Sequence, residues 1–187
     1  MKMFFALVVM LLSQFVLAQN KSTLSYSMPS IEVGFKSNSA DIIGAVSTKQ
    51  ENGFQLGASA VFDFATNFGL KSGLFYTERP FSAELPGSII VKGKISYFEV
   101  PALLMFKFED YAGVYVGPSL GIKMGDERTP GSLTNVKGIV MPITFGAQFK
   151  FMPSIGVNMF FETISGDIAN GVSNTRAVGA NLLITLD

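Results

Sequence analysis

The chain has 187 residues, enough for one domain with a sizeable buried interior and too few for two ordinary ones. Apolar residues make up 48% of it and charged residues only 15%, against a usual charged share of about 25%, which is a poor surface for a soluble protein. The formal charge is zero with no basic face, which excludes nucleic acid as a partner; the absence of His removes Ser-His-Asp triads, Cys-His dyads and His-bound metals, and the absence of Cys leaves no disulfide.

Residues 1–18 read as a cleavable signal peptide. Lys2 provides a positive start, residues 3–12 are an unbroken apolar run, and "VLA" at 16–18 predicts cleavage after Ala18. That run is shorter than the roughly 20 apolar residues a helix needs to cross a bilayer. No Cys follows the cleavage point, which argues against a lipoprotein. Loss of Lys2 would leave a net charge of −1, and residues 19–187 form the expected domain.

The first strand is short, carried by Ile31, Val33 and Phe35, with Pro29 barring anything longer. Strict alternation then sets in. Phe54, Leu56, Ala58, Ala60, Phe62 and Phe64 share one face, and after only residues 65–67 the pattern resumes with Phe68, Leu70, Leu74 and Tyr76. Phe98, Val100, Ala102, Leu104, Phe106 and Phe108 mark the next strand, with Glu99 and Pro101 on its other face. A tight turn at 109–110 leads to Ala112, Val114, Val116, Leu120 and Ile122. Ile139, Met141, Ile143, Phe145, Ala147 and Phe149 follow, then Ile155, Val157, Met159 and Phe161, and finally Val178, Ala180, Leu182, Ile184 and Leu186.

Eight strands result, most of them about 10–14 residues long, where a tilted strand needs about 9–11 to cross a bilayer. Short turns alternate with long loops at 37–52, 80–93, 125–136 and 164–173, the layout of an outer-membrane barrel. The fold predicted is all-β: an eight-stranded antiparallel up-and-down transmembrane barrel.

Opposite the apolar faces lie glycines, at 34, 53, 57, 69, 73, 113, 117, 121, 138, 146, 156 and 179, where a water-exposed sheet face would carry Lys, Glu, Asp and Thr. A narrow eight-stranded lumen must mix small and large side chains to fill. Folding the hairpins pairs Gly57 with Phe75, Gly73 with Ser59, Gly117 with Leu103 and Met105 with Tyr115. Glu99 falls opposite Gly121 and diagonal to Lys123, its expected partner. A charge aimed at hydrocarbon would cost about 2–4 kcal/mol, so Glu99 belongs in the lumen.

The stretches "FGLKSGLFYTER" at 68–79, "YFEVPALLMFKF" at 97–108 and "YAGVYVGPSLGIKM" at 111–124 resemble the PorT-like outer-membrane β-barrel family of Gram-negative bacteria. In that family a Gly-Leu-x-x-Gly-Leu-x-Tyr strand precedes a Tyr-x-Glu-x-Pro-x-Leu-Leu strand and a Gly-Pro strand. The match covers about the middle third of the chain. Such barrels finish on an aromatic residue, whereas here "GANLLITLD" puts Leu186 in that slot, which leaves a periplasmic barrel open.

The lumen-facing charges Asp63, Lys71, Glu99, Lys123 and Glu162 are expected to form a structural ion network, with an acid/base cluster as the chemical alternative. "GDERTPG" at 125–131 has two carboxylates without the spacing of a calcium loop, and reads as solvated surface. Ile89, Ile90 and Val91 are a candidate surface contact, or the top of an extended hairpin. No catalytic, metal or cofactor residue is assigned. The expected role is that of a monomeric integral outer-membrane protein with a filled lumen, whose partners are membrane lipid and an envelope or extracellular molecule met by four surface loops. A periplasmic or secreted barrel holding a small apolar ligand, a narrow channel, and an enzyme acting on lipid are the alternatives.

Overall fold

The computed structural model describes residues 25–109 and 111–186, so the signal segment 1–18 and its cleavage point lie outside the described residues. Among the described residues ten strands are present: β1 (Ser25–Ile42), β2 (Ser47–Lys49), β3 (Glu51–Ala65), β4 (Phe68–Leu85), β5 (Ile89–Glu109), β6 (Ala112–Thr129), β7 (Ile139–Val140), β8 (Ile143–Met152), β9 (Ile155–Ala169) and β10 (Val172–Thr185). Eight of them close a ring in the order β1, β3, β4, β5, β6, β8, β9, β10 and back to β1, antiparallel throughout. Closure leaves no free sheet edge around the wall. β7 prolongs β8: Lys123 N donates to Gly138 O and Ser119 N to Pro142 O, each at 2.8 Å, and the ladder is interrupted where Pro142 has no N–H to give.

The hairpin registers follow the alternation. Gly57 faces Phe75, Ser59 faces Gly73, Met105 faces Tyr115 and Glu99 faces Gly121. A Cβ added at Gly57 would strike the Phe75 ring, and one at Gly146 the Tyr115 phenol, so small residues open the room that the large ones fill. Gly138 departs from this pattern. It lies outside the strands, exposed and with open space before it.

Three expectations are corrected. β1 is 18 residues long and runs through Pro29, because a bulge between Ser27 and Ser30, with Met28 at φ 52°, absorbs the irregularity. Most of the long loops are strand. β4 and β5 remain paired to Leu85 and Ile89, β9 and β10 to Ala169 and Val172, and β1 and β3 to Asn38 and Glu51. The segment 125–129, expected to be loop, continues β6 against β5. Residues 130–138 are the long irregular connection that remains. They fold into the mouth, burying Leu133 and tying Lys137 N to Ile168 O at 2.8 Å and Asn170 N to Thr134 O at 3.0 Å.

The outer wall is layered. Along β3, β4 and β5 the outward positions run from Phe62 and Phe64, Phe68, and Phe106 and Phe108 near the tight turns, through aliphatic residues, to Phe54, Tyr76 and Phe98. Edge-on rings knit both ends together: Phe106 with Phe108 at 5.1 Å and Tyr111 with Phe149 at 5.9 Å near the tight turns, Phe35 with Phe54 at 5.8 Å and Tyr76 with Phe98 at 6.1 Å at the other end. Beyond them the outward residues turn polar, with Asn52, Glu78, Lys94, Glu127 and Arg176. Ten residue steps at about 3.4 Å, tilted by about 40°, make this apolar band about 25 Å tall.

Candidate functional site

Inward positions of the same strands carry the charges. Among the described residues six ionisable side chains, each at most 4% exposed, lie inside the ring: Glu32 and Lys36 from β1, Lys71 and Arg79 from β4, Glu99 from β5 and Glu162 from β9. Three are carboxylates and three are cations, so this set of six is neutral as a whole. Two apolar clusters bracket them, one containing Val61, Leu103, Met105 and Phe160 toward the tight turns, the other Ile95, Tyr97, Leu133 and Ile168 at the far mouth.

Glu32 is the hub of one half of the network. Its Oε1 accepts from Lys71 Nζ at 2.8 Å and Ser59 Oγ at 2.6 Å, and its Oε2 from Asn158 Nδ2 at 2.6 Å and Asn181 Nδ2 at 3.1 Å. Lys71 also donates to Gln148 Oε1 at 2.9 Å and lies over the Tyr115 ring, whose hydroxyl bonds to Asn158 Oδ1. Five strands converge on one carboxylate and its lysine. Such convergence is what permits a buried ion, since each lone pair that lost water has a donor instead.

Arg79 organises the other half. Its Nη2 meets Glu99 Oε1 and its Nη1 meets Glu162 Oε1, both at 2.6 Å, while Lys36 Nζ reaches Glu162 Oε1 at 3.1 Å. The guanidinium also lies 5.8 Å from the centre of the Tyr97 ring. Nearer the tight turns Lys107 Nζ pairs with Asp63 Oδ1 at 2.6 Å.

Of the five charges expected in the lumen, Lys71, Glu99 and Glu162 lie in the two halves of this network, and Asp63 pairs apart from it. Lys123 does not join them. It bonds to Asp126 at 2.7 Å near the mouth, and Glu99 takes Arg79 instead. The register of Glu99 was as expected, but Arg79, two inward positions along on the neighbouring β4, takes it while Lys123 turns to Asp126. Glu32, Lys36, Arg79 and Lys107 were missed as network members. The signal for Glu32, Lys36 and Lys107 was present, since each alternates with outward apolar neighbours such as Ile31 and Phe35, or Phe106 and Phe108, whereas Arg79 lies between Glu78 and Pro80 and shares only the inward period of Phe75 and Thr77.

The surface candidates divide. Ile89 and Ile90 are half exposed at the tip of the β4–β5 hairpin, whereas Val91 is buried and points inward, so it is not a surface contact. Ile43 and Val46, not foreseen, are 77% and 70% exposed, and Val46 N donates to Glu84 O at 2.7 Å beside that tip. The carboxylates of 125–131 are spoken for by Lys123 and, at 3.9 Å, Lys94.

Chemically the lumen is full. The cavity among Glu32, Lys71, Glu99 and Glu162 measures about 40 Å³, space for about one water and far below the roughly 300 Å³ at which small-molecule pockets begin. Every carboxylate in it is engaged by a cation.

No family model matches the chain, and no curated protein matches it. Solved structures do. The outer-membrane protein Ail of Yersinia pestis, in a phospholipid bilayer nanodisc, aligns with 20% identity over 83% of this chain and 98% of its own, at a TM-score of 0.51. Neisserial surface protein A aligns with 13% identity over 87% of this chain and 99% of its own, at a TM-score of 0.56. The fold is that of the small eight-stranded outer-membrane β-barrels.

Proposed function

We propose that the chain is an integral outer-membrane β-barrel, exported by residues 1–18, with a sealed lumen and both ends of the barrel chain on the periplasmic side. The observation that carries this reading is the outward aromatic–aliphatic–aromatic band about 25 Å tall, matched to hydrocarbon thickness, with charges confined inside. Water would not solvate such a wall; acyl chains would. The buried ion network is the structural pin of the lumen, and the strand extensions beyond the band carry the interaction surface of the protein. Resemblance to the PorT-like family rests on 68–79, 97–108 and 111–124, which form the successive wall strands β4, β5 and β6.

A periplasmic barrel with an apolar ligand inside is disfavoured by a 40 Å³ interior cavity lined by charges. Lipid chemistry is disfavoured likewise, because no carboxylate of the network is free to act. Cell fractionation combined with boiled and unboiled electrophoresis tests the proposal: the protein should require detergent for extraction and should shift in mobility on boiling. Recovery as a soluble protein would overturn it.

A further inference from the structure

A second concavity lies apart from the ion network, at the far mouth of the barrel. Its volume is about 260 Å³ and its walls include Ile42, Phe81, Leu85, Val91, Val172 and Arg128. Phe81, Val91 and Val172 are buried, so the floor is apolar and well packed. Gly93 faces Phe81 in register, and a side chain there would collide with the ring. Arg128 faces Gly93 from β6, on the same inward side. The bare position at 93 thus lets an aromatic ring and a guanidinium share one pocket.

Arg128 is unlike the other cations that face inward. Its sequence neighbours are committed elsewhere, Asp126 to Lys123 and Glu127 to Lys94. Among the described residues it has no ion pair and no side-chain hydrogen bond, and its Nε is buried without an acceptor. A half-buried guanidinium beside hydrocarbon is best satisfied by a planar anion that offers two oxygens at once. The rest of the pocket asks for an alkyl chain.

We propose that this pocket binds a medium-chain alkyl carboxylate, the head on Arg128 and the chain along Phe81, Val91 and Val172. At about 30 Å³ per water-sized group, 260 Å³ accommodates a chain of about eight carbons. Octanoate is the natural probe. The proposal goes beyond the sealed-barrel reading, because the pocket lies outside the seal and needs no passage through it.

The test is equilibrium dialysis of radiolabelled octanoate against the full barrel in zwitterionic lipid nanodiscs, with empty nanodiscs as background. Saturable uptake of one octanoate per barrel is expected. Arg128→Gln should weaken it at least tenfold, and Leu85→Trp, which fills the pocket from its rim, should do the same. Both variants are first checked for heat-modifiable mobility, so that loss of binding is separated from loss of the barrel. Uptake no greater than that of empty nanodiscs overturns the proposal, as does a loss smaller than tenfold in Arg128→Gln. Displacement of octanoate by octan-1-ol as efficient as by unlabelled octanoate overturns the anionic part. None of these failures touches the outer-membrane assignment, which rests on fractionation and mobility.

Discussion

Glu162 receives two cations and is almost completely buried, so its charge matters more than its size. Glu162→Gln keeps the shape but strands Lys36 and Arg79 with one fewer anion. Breaking a buried pair from one side costs about 3–5 kcal/mol, whereas an exposed pair is worth about 0–1 kcal/mol. Urea unfolding in lipid vesicles should therefore show a large loss for Glu162→Gln and almost none for Asp126→Asn, which only releases Lys123 at the mouth. Equal effects would mean that the interior is wetter than its packing implies. Space is the other currency at this scale. Gly146→Val pushes a branched side chain into the Tyr115 phenol and should cost about 1–3 kcal/mol in the same assay. Adding Tyr115→Leu should recover part of that loss.

At the level of the strand, alternation decides which residues meet lipid. On β5, Leu104 projects outward near the middle of the apolar band, while Ile90 projects at the hairpin tip beyond it. Leu104→Arg should lower unfolding free energy by about 2–4 kcal/mol in vesicles, and Ile90→Arg should leave it unchanged. A matching penalty at both positions would mean that the band is not the membrane span. The alternation of β3 through β6 could be followed residue by residue in the sequence, because a period of two leaves no freedom once one face is apolar. The first strand could not, since the rule that proline ends a strand does not foresee a bulge that lets β1 continue through Pro29. The long loops were misjudged for a related reason: above the band, strand pairing no longer needs outward apolar residues, so periodicity fades while the hydrogen-bond ladder continues.

Over the whole molecule the seal has two layers, the inward fold of residues 130–138 and the ion network beneath it. Planar bilayers containing the protein should show no conductance steps. Replacing residues 132–136 by a Gly-Ser linker removes Leu133 from the mouth and should still give no steps, because the neutral network below remains. Adding Arg79→Ala with Glu162→Ala to that linker should open a measurable pathway. Conductance from the linker variant alone would transfer the seal from the network to the loop.

Alone, the sequence determined that the chain is a barrel wall: the period of two, the apolar face, the glycine face and the hairpin registers are local properties, set by which neighbours each pleat can touch. It also showed that Glu99 and Glu162 turn inward. Which cations Glu32 and Glu162 meet was settled only when the ring closed, because Lys71 with Glu32, Lys36 with Glu162 and Arg79 with Glu162 join strands that are not neighbours in the wall. Closure sets the width of the lumen, and that width decides how far a lysine or arginine must reach to find its partner.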